Sequence, residues 1–269
     1  MRGEKYMKKI LIVLSVVIAL CIGFVVFMTC GNKKTTAKII KEYESKGMKV
    51  ASVEDDLKFD FNDSYKTCEL KEVNKVSNFD VVVIPEEVEG YKVTSIGMWA
   101  FGADDDLYGN KREDSVSSTV KEVVMPDTII DIDEQAFQFC ENLQKVILGK
   151  NIEHIDEDAF LGCTALEELN LSETKLVHFK DGVFDKCTSL KKVVLPKQLE
   201  SLAMGDFSGC YNIEELHIPG SVKKIDNRLY SFMESGSGKN MEDCLTIYAP
   251  KGSYAEEFAK ETNTSFVAE

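Results

Sequence analysis

The segments Val123-Val124-Met125, Val146-Ile147-Leu148, Leu169-Asn170-Leu171, Val193-Val194-Leu195 and Leu216-His217-Ile218 recur along this chain at intervals of about 23 residues. A second anchor follows the first four: Ala136-Phe137, Ala159-Phe160, Val183-Phe184 and Asp206-Phe207, then Cys140, Cys163, Cys187 and Cys210. A unit this short cannot enclose a core alone. It buries its apolar face only against the next copy, so the product is a stack of coils. Such a stack offers partners a long surface and seldom forms a catalytic cleft.

Each unit carries the frame L-x-x-L-x-L, as in Leu143-Gln144-Lys145-Val146-Ile147-Leu148 and Leu190-Lys191-Lys192-Val193-Val194-Leu195. The alternation predicts one short strand per coil, with every second side chain inside the stack. Pro85, Pro126, Pro196, Pro219 and Pro250 directly follow these strands, where a residue without an N–H ends pairing. The Ala-Phe-x-x-Cys segments predict the opposite wall, with one internal ladder of phenylalanines and one of cysteines. Coils about 4.8 Å apart bring adjacent cysteines within disulfide reach. A small apolar residue recurring at a buried position nevertheless reads as a free thiol. The chain holds no C-x-x-C, which removes the common zinc and redox-motif readings.

The unit resembles the BspA-like leucine-rich repeats of bacterial surface proteins, the Treponema pallidum type. Val82-Val83-Ile84-Pro85, Glu89 to Ile96 and Ala100-Phe101 look like its first repeat, and Ile247-Tyr248-Ala249-Pro250 through Glu256 like its closing unit. The match runs over roughly residues 79–269. It is interrupted by a polar insertion at 103–119 and a Ser/Gly-rich one at 230–243, and Gly149 and Ser172 replace proline. The resemblance implies a mainly β, right-handed leucine-rich repeat solenoid of about six coils. It also implies adhesion to, or recognition of, macromolecules of a host or neighbouring cell. No ligand is named by it.

Four segments are expected. Residues 1–34 form a membrane anchor or lipoprotein signal, 35–78 a stalk helix and N-terminal β-cap, 79–244 the solenoid, and 245–269 a capping unit with a short helix. Ile10 to Thr29 is a 20-residue uncharged run, long enough to cross a bilayer as one transmembrane helix, and no small-x-small cleavage site ends it. Phe27-Met28-Thr29-Cys30 is the competing signal. It places Cys30 where a lipobox would take its lipid, although Phe27 and Thr29 depart from that motif. Lysines flank the run on both sides, so charge does not orient it. A folded repeat domain behind an N-terminal signal is expected outside the cell.

The formal net charge is −14. Residues 1–34 contribute +5, from six cations against Glu4, so the remainder carries −19. Such a field disfavours nucleic acid and anionic lipid surfaces. The chain shows no G-x-S-x-G, H-E-x-x-H or phosphate loop, and its three histidines are scattered, so neither an enzyme nor a cofactor is expected. Asp104-Asp105-Asp106 lacks the spacing of an EF-hand. His154 and His178 occupy equivalent rungs but have no obvious carboxylate beside them, and read as surface residues.

The central x of each strand points outward. Down the stack it reads Val83, Val124, Ile147, Asn170, Val194 and His217. As a functional feature it is a stripe that meets an extracellular protein or glycan. As a packing feature it reflects only the preference of β-branched residues for strands, half covered by long neighbours. The alternative to an external ligand is an assembly role, with the solenoid docked on another membrane protein of the same envelope.

Overall fold

The computed structural model describes residues 35–74, 78–102, 119–203, 205–233 and 244–269. The apolar run Ile10–Thr29, Cys30 and Asp104–Asp106 lie outside the described residues. Among the described residues no helix is long and apolar enough to cross a membrane. The chain divides into Met1–Ile39 and Ile40–Glu269. The first unit is described only from Thr35, just before helix α1 (Thr36–Ser45); the second holds every described strand.

The L-x-x-L-x-L frames do form one short strand per coil, paired in parallel with no slip of register. Val82 lies opposite Val123 and Val123 opposite Val146. Leu169, Val193, Leu216, Ile247 and Phe266 continue the same rung in a second sheet. A second, shorter ladder runs beside the first, through Thr67–Val73, Tyr91–Ile96, Asp131–Ile132 and His154–Ile155, then Ser201–Leu202 with Lys224–Ile225. At the N-terminal side, Leu57–Asn62 and Thr67–Val73 form an antiparallel hairpin whose second strand joins this ladder.

The third side of each coil is a pair of tight corners. Gln135, Asp158 and Gly182 directly precede the Ala-Phe or Val-Phe pairs; Phe139, Gly162, Lys186 and Gly209 directly precede the cysteines. All have φ between 56° and 74°. Two left-handed residues in each of the coils of Phe137, Phe160 and Phe184, and one in that of Phe207, turn the chain sharply enough for Phe and Cys both to face inward. The phenylalanines stack, with ring centroids 4.4 Å apart for Phe101–Phe137, 4.8 Å for Phe137–Phe160, 5.7 Å for Phe160–Phe184 and 5.6 Å for Phe184–Phe207.

The cysteines are free thiols. Their recurrence has a physical cause that the sequence does not show. Each Sγ lies within hydrogen-bond distance of the carbonyl oxygen of a phenylalanine in the preceding coil: Cys140 to Phe101 at 3.3 Å, Cys163 to Phe137 at 3.2 Å, Cys187 to Phe160 at 3.3 Å and Cys210 to Phe184 at 3.0 Å. A buried carbonyl needs a partner, and a thiol donates weakly while remaining small and apolar.

At the other end, α2 (Leu229–Met233) leads toward α3 (Tyr254–Glu261). Ser253 caps α3 by accepting from the Glu256 N–H, and Ala255, Phe258 and Ala259 are its buried residues. Phe258 meets the Tyr230 ring edge-on at 5.4 Å.

Among the described residues the stack has one discontinuity. Leu171 to Leu176 spans one residue more than Leu148 to Ile152 or Leu195 to Leu199. Thr174 takes up the excess in a turn closed on Leu171, whose carbonyl accepts from the Thr174 N–H at 3.0 Å and Oγ1 at 2.7 Å. At this coil both ladders break. Lys145–Ile147 does not pair with Glu168–Asn170, and no strand stands at 177–178 between His154–Ile155 and Ser201–Leu202. The coils stay joined on the third side, where the Phe160 N–H donates to Val183 at 2.9 Å.

Candidate functional site: the outer face of the main sheet

In strands Glu122–Val124, Lys145–Ile147, Glu168–Asn170, Lys192–Val194 and Glu215–His217 the middle residue is buried and its two neighbours lie on the outer face. Two columns result. The first reads Glu122, Lys145, Glu168, Lys192, Glu215, alternating in sign. Lys145 pairs with Glu122 at 3.0 Å and Lys192 with Glu215 at 2.7 Å. Both lysines thus bond the other neighbour in the column, and Glu168 has no ion pair among the described residues. The second column is the x stripe, extended by Tyr248 and Val267 in the last two strands.

All six residues lie in the outer column, but the stripe is only partly open. Val83 and Val124 are 2% and 8% exposed, whereas Ile147 is 39% exposed and Asn170 is open. The reason lies upstream. Tyr43 is buried and donates to Glu122 Oε1 at 2.5 Å, which seats this part of α1 on the face that Val124 shares with Glu122. Burial and the contact with Glu122 push the Tyr43 phenol above its ordinary pKa, so it remains a donor. Val194 is half-buried. So is His217, whose ring stacks on Tyr248 at 4.5 Å and whose Nδ1 lies 2.8 Å from Glu269 Oε1.

Between Ile147 and Asn170 the unpaired strands open a groove of about 650 Å³ on this face. Lys145 to Leu148 line one side, Glu167, Glu168, Asn170, Glu173 and Thr174 the other. Leu148 is half-buried, while Ile84, Met125, Leu171, Leu195 and Ile218 at the same position are all buried. Nothing in the outward stripe marks this groove. Its signal is the one-residue excess between Leu171 and Leu176, which a period read as constant conceals.

His154 and His178, equivalent in sequence, are not brought together by pairing, because the second ladder stops between them. His178 lies 3.9 Å from Glu200 instead. Trp99 is half-buried, with Nε1 donating to Gln135 Oε1 at 2.6 Å. Among the described residues no group of three or more His, Cys, Asp or Glu side chains is placed to hold a metal.

Away from the sheet face, burial raises three carboxyls from an ordinary 3.8 to about 6: Asp133, with Glu69, Asp131 and Asp156 adding to the effect; Asp185, with Asp158 adding; and Asp206, against the opposing bond from the Ala203 N–H. Between pH 4 and 6 the folded protein therefore binds more protons than the unfolded chain, so stability grows as pH falls through that window. Below it the trend reverses, because lysines hold Glu153, Glu173 and Glu215 below their ordinary value and acid removes those contacts. The urea midpoint should rise from pH 7.5 to about 5 and fall below about 4. Asp133→Asn should flatten the rise; an unchanged slope would contradict the assignment.

Residues 115–236 match the family model of the BspA type leucine rich repeat region in six copies. Among solved structures, the T. pallidum leucine rich repeat protein aligns over 66% of this chain and 82% of its own, at 18% identity and TM-score 0.51. A leucine rich cell surface protein from Faecalibacterium prausnitzii A2-165 aligns over 72% of this chain and 53% of its own, at 21% identity and TM-score 0.46. At 18% identity the likeness to the T. pallidum protein concerns the fold alone. No curated protein matches the sequence.

Proposed function

We propose, from the premise that residues 115–236 are a BspA-type leucine-rich repeat region, that this chain is a non-enzymatic binding protein of the cell surface. It meets protein or glycan partners outside the cell, tethered by its N-terminal apolar run or by lipid on Cys30. The observation that carries the reading is the outer sheet face, where open apolar positions adjoin a column of alternating charge. Ile147 and Val267 are among the few large apolar side chains left exposed, and both lie on this face. Apolar contact with charged neighbours is how a partner surface combines affinity with register.

The test uses the full chain displayed on a bacterial surface and scored for adhesion to intact host or neighbouring cells. Ile147→Lys together with Val194→Lys should lower adhesion at least roughly tenfold, with the thermal transition unchanged because both sites tolerate a long side chain. Val83 and Val124 are unsuitable targets, since a charge there would be buried. Undiminished adhesion by the folded double variant would end the proposal.

A further inference from the structure

We infer that the groove between Ile147 and Asn170 takes a short extended peptide in which aliphatic residues alternate with lysine or arginine. The inference rests on the reading of the outer sheet face as a binding surface and names the chemistry of its partner.

Three independent features point to this occupant. The first is backbone. At five other junctions of the main ladder, the residue after the strand donates to the next coil: Ile84 to Val124, Met125 to Ile147, Leu171 to Val194, Leu195 to His217 and Ile218 to Tyr248, at 2.8 to 3.0 Å. No such bond joins Leu148 to Asn170. The backbone contact left at the head of this seam is the Glu167 N–H to the Gln144 carbonyl, at 3.4 Å. Parallel strands that part in this way leave a donor at one lip and an acceptor at the other without a partner across the seam, where an extended chain lying along the groove can use them. Five residues, 144 to 148, set the length of the lip, about 17 Å of extended chain.

The second feature is apolar. Leu148 is more open than its counterparts and adjoins the exposed Ile147, so the groove reaches the edge of the core. Val146 on the same strand is 7% exposed, against 0–1% for Val123, Leu169, Val193, Leu216 and Ile247. An aliphatic side chain lying there removes that surface from water.

The third is charge. Glu167, Glu168 and Glu173 line the far lip. Glu167 and Glu173 are each shared with a lysine of the next coil, Lys191 at 3.4 Å and Lys197 at 2.5 Å, and Glu168 has no ion pair among the described residues. Lys121 and Lys145 on the near side are held by Asp80 at 2.8 Å and Glu122 at 3.0 Å. The charge left to a ligand is therefore negative, and a cationic peptide is favoured over an acidic one.

The probe is fluorescein-labelled Lys-Leu-Lys-Leu-Lys-Leu-Lys, titrated by anisotropy against the full 269-residue chain in nonionic detergent. Saturable one-to-one binding is expected. The Glu-for-Lys and the Ser-for-Leu peptides should each bind at least roughly tenfold more weakly. Removing Thr174 restores the regular unit and closes the seam without touching a charge, and should abolish binding. If that variant does not fold, Glu168→Lys should weaken binding roughly tenfold, while Glu257→Lys, an equal charge change on α3, should not. Equal binding of the Ser peptide, equal weakening by Glu257→Lys, or full binding by a folded protein lacking Thr174 would overturn the inference. Adhesion that responds to Val194→Lys while no peptide binds would do the same and leave the sheet-face reading standing, because Val194 does not line the groove.

Discussion

Phe137→Ala is expected to destabilise the protein by about 3–5 kcal/mol and to disorder neighbouring coils with it. Phe137 is fully buried, with rings on both faces at 4.4 and 4.8 Å, the two shortest spacings in the stack. Its carbonyl also accepts from Cys163. Removing the ring leaves a cavity that the coil cannot close, because Ala136 and Cys140 on either side are held by their own corners. In a solenoid stability is a sum of units and of interfaces between neighbours, so one change here weakens two interfaces. Denaturant unfolding followed by circular dichroism checks the magnitude. Hydrogen exchange checks the spread: protection should fall first in the coils on either side of Phe137, and a uniform loss would contradict the account. Phe184→Ala should cost less, since its ring neighbours lie 5.6 and 5.7 Å away, although Phe179 also meets it edge-on at 5.6 Å.

Gly149→Ala is expected to cost about 1–3 kcal/mol or more, a large penalty for one methyl group. A Cβ at Gly149 would lie 2.2 Å from the carbonyl oxygen of Pro126 and 3.0 Å from its carbonyl carbon, both backbone atoms of the coil below. Neither coil can yield cheaply. Pro126 follows a paired strand, and Asp127 beside it accepts from the Lys150 N–H at 3.2 Å and, through its backbone carbonyl, from Asn151 Nδ2 at 2.7 Å. Gly205→Ala is the matched control. No atom stands within 4 Å of the Cβ it would gain, so its urea midpoint should move by no more than about 0.5 kcal/mol equivalent. Equal midpoints for the two variants would refute the close approach.

Gly149 also illustrates how far the sequence is legible. It stands where other units carry proline, and as a sequence it reads as the loss of a strand-ending residue. Only the stack shows it as a contact point, because its neighbour Pro126 is a residue of the previous coil. The corners are a similar case. Gln135, Phe139 and Lys186 are not turn-formers by type, yet all adopt positive φ. Their equivalence to Gly182, Gly162 and Gly209 across the repeat carries that information, and no single unit does. The stripe was legible in direction but not in exposure. Val124 and Ile147 are alike in sequence, yet Val124 is 8% exposed and Ile147 39%, and the first stands beside Glu122, which a tyrosine 79 residues away in the chain bonds.

What the sequence by itself determined is the coil: strand position, inward and outward faces, and the Phe and Cys ladders all follow from a period in which each residue meets its own counterpart one unit on. A repeat writes its nearest-neighbour contacts into its spacing. What only the tertiary structure decided is where the stack departs from itself. The seating of Tyr43 on the first coils depends on a contact distant in sequence. The opening at Ile147 depends on how one extra residue before Leu176 is absorbed, and a backbone can take up such a residue in a loop without disturbing its neighbours. Here it did not. The extra residue closed a turn on Leu171, the coil of Leu169 stayed paired with that of Val193, and the unpaired edge it left facing the coil of Val146 is the groove proposed as a binding site.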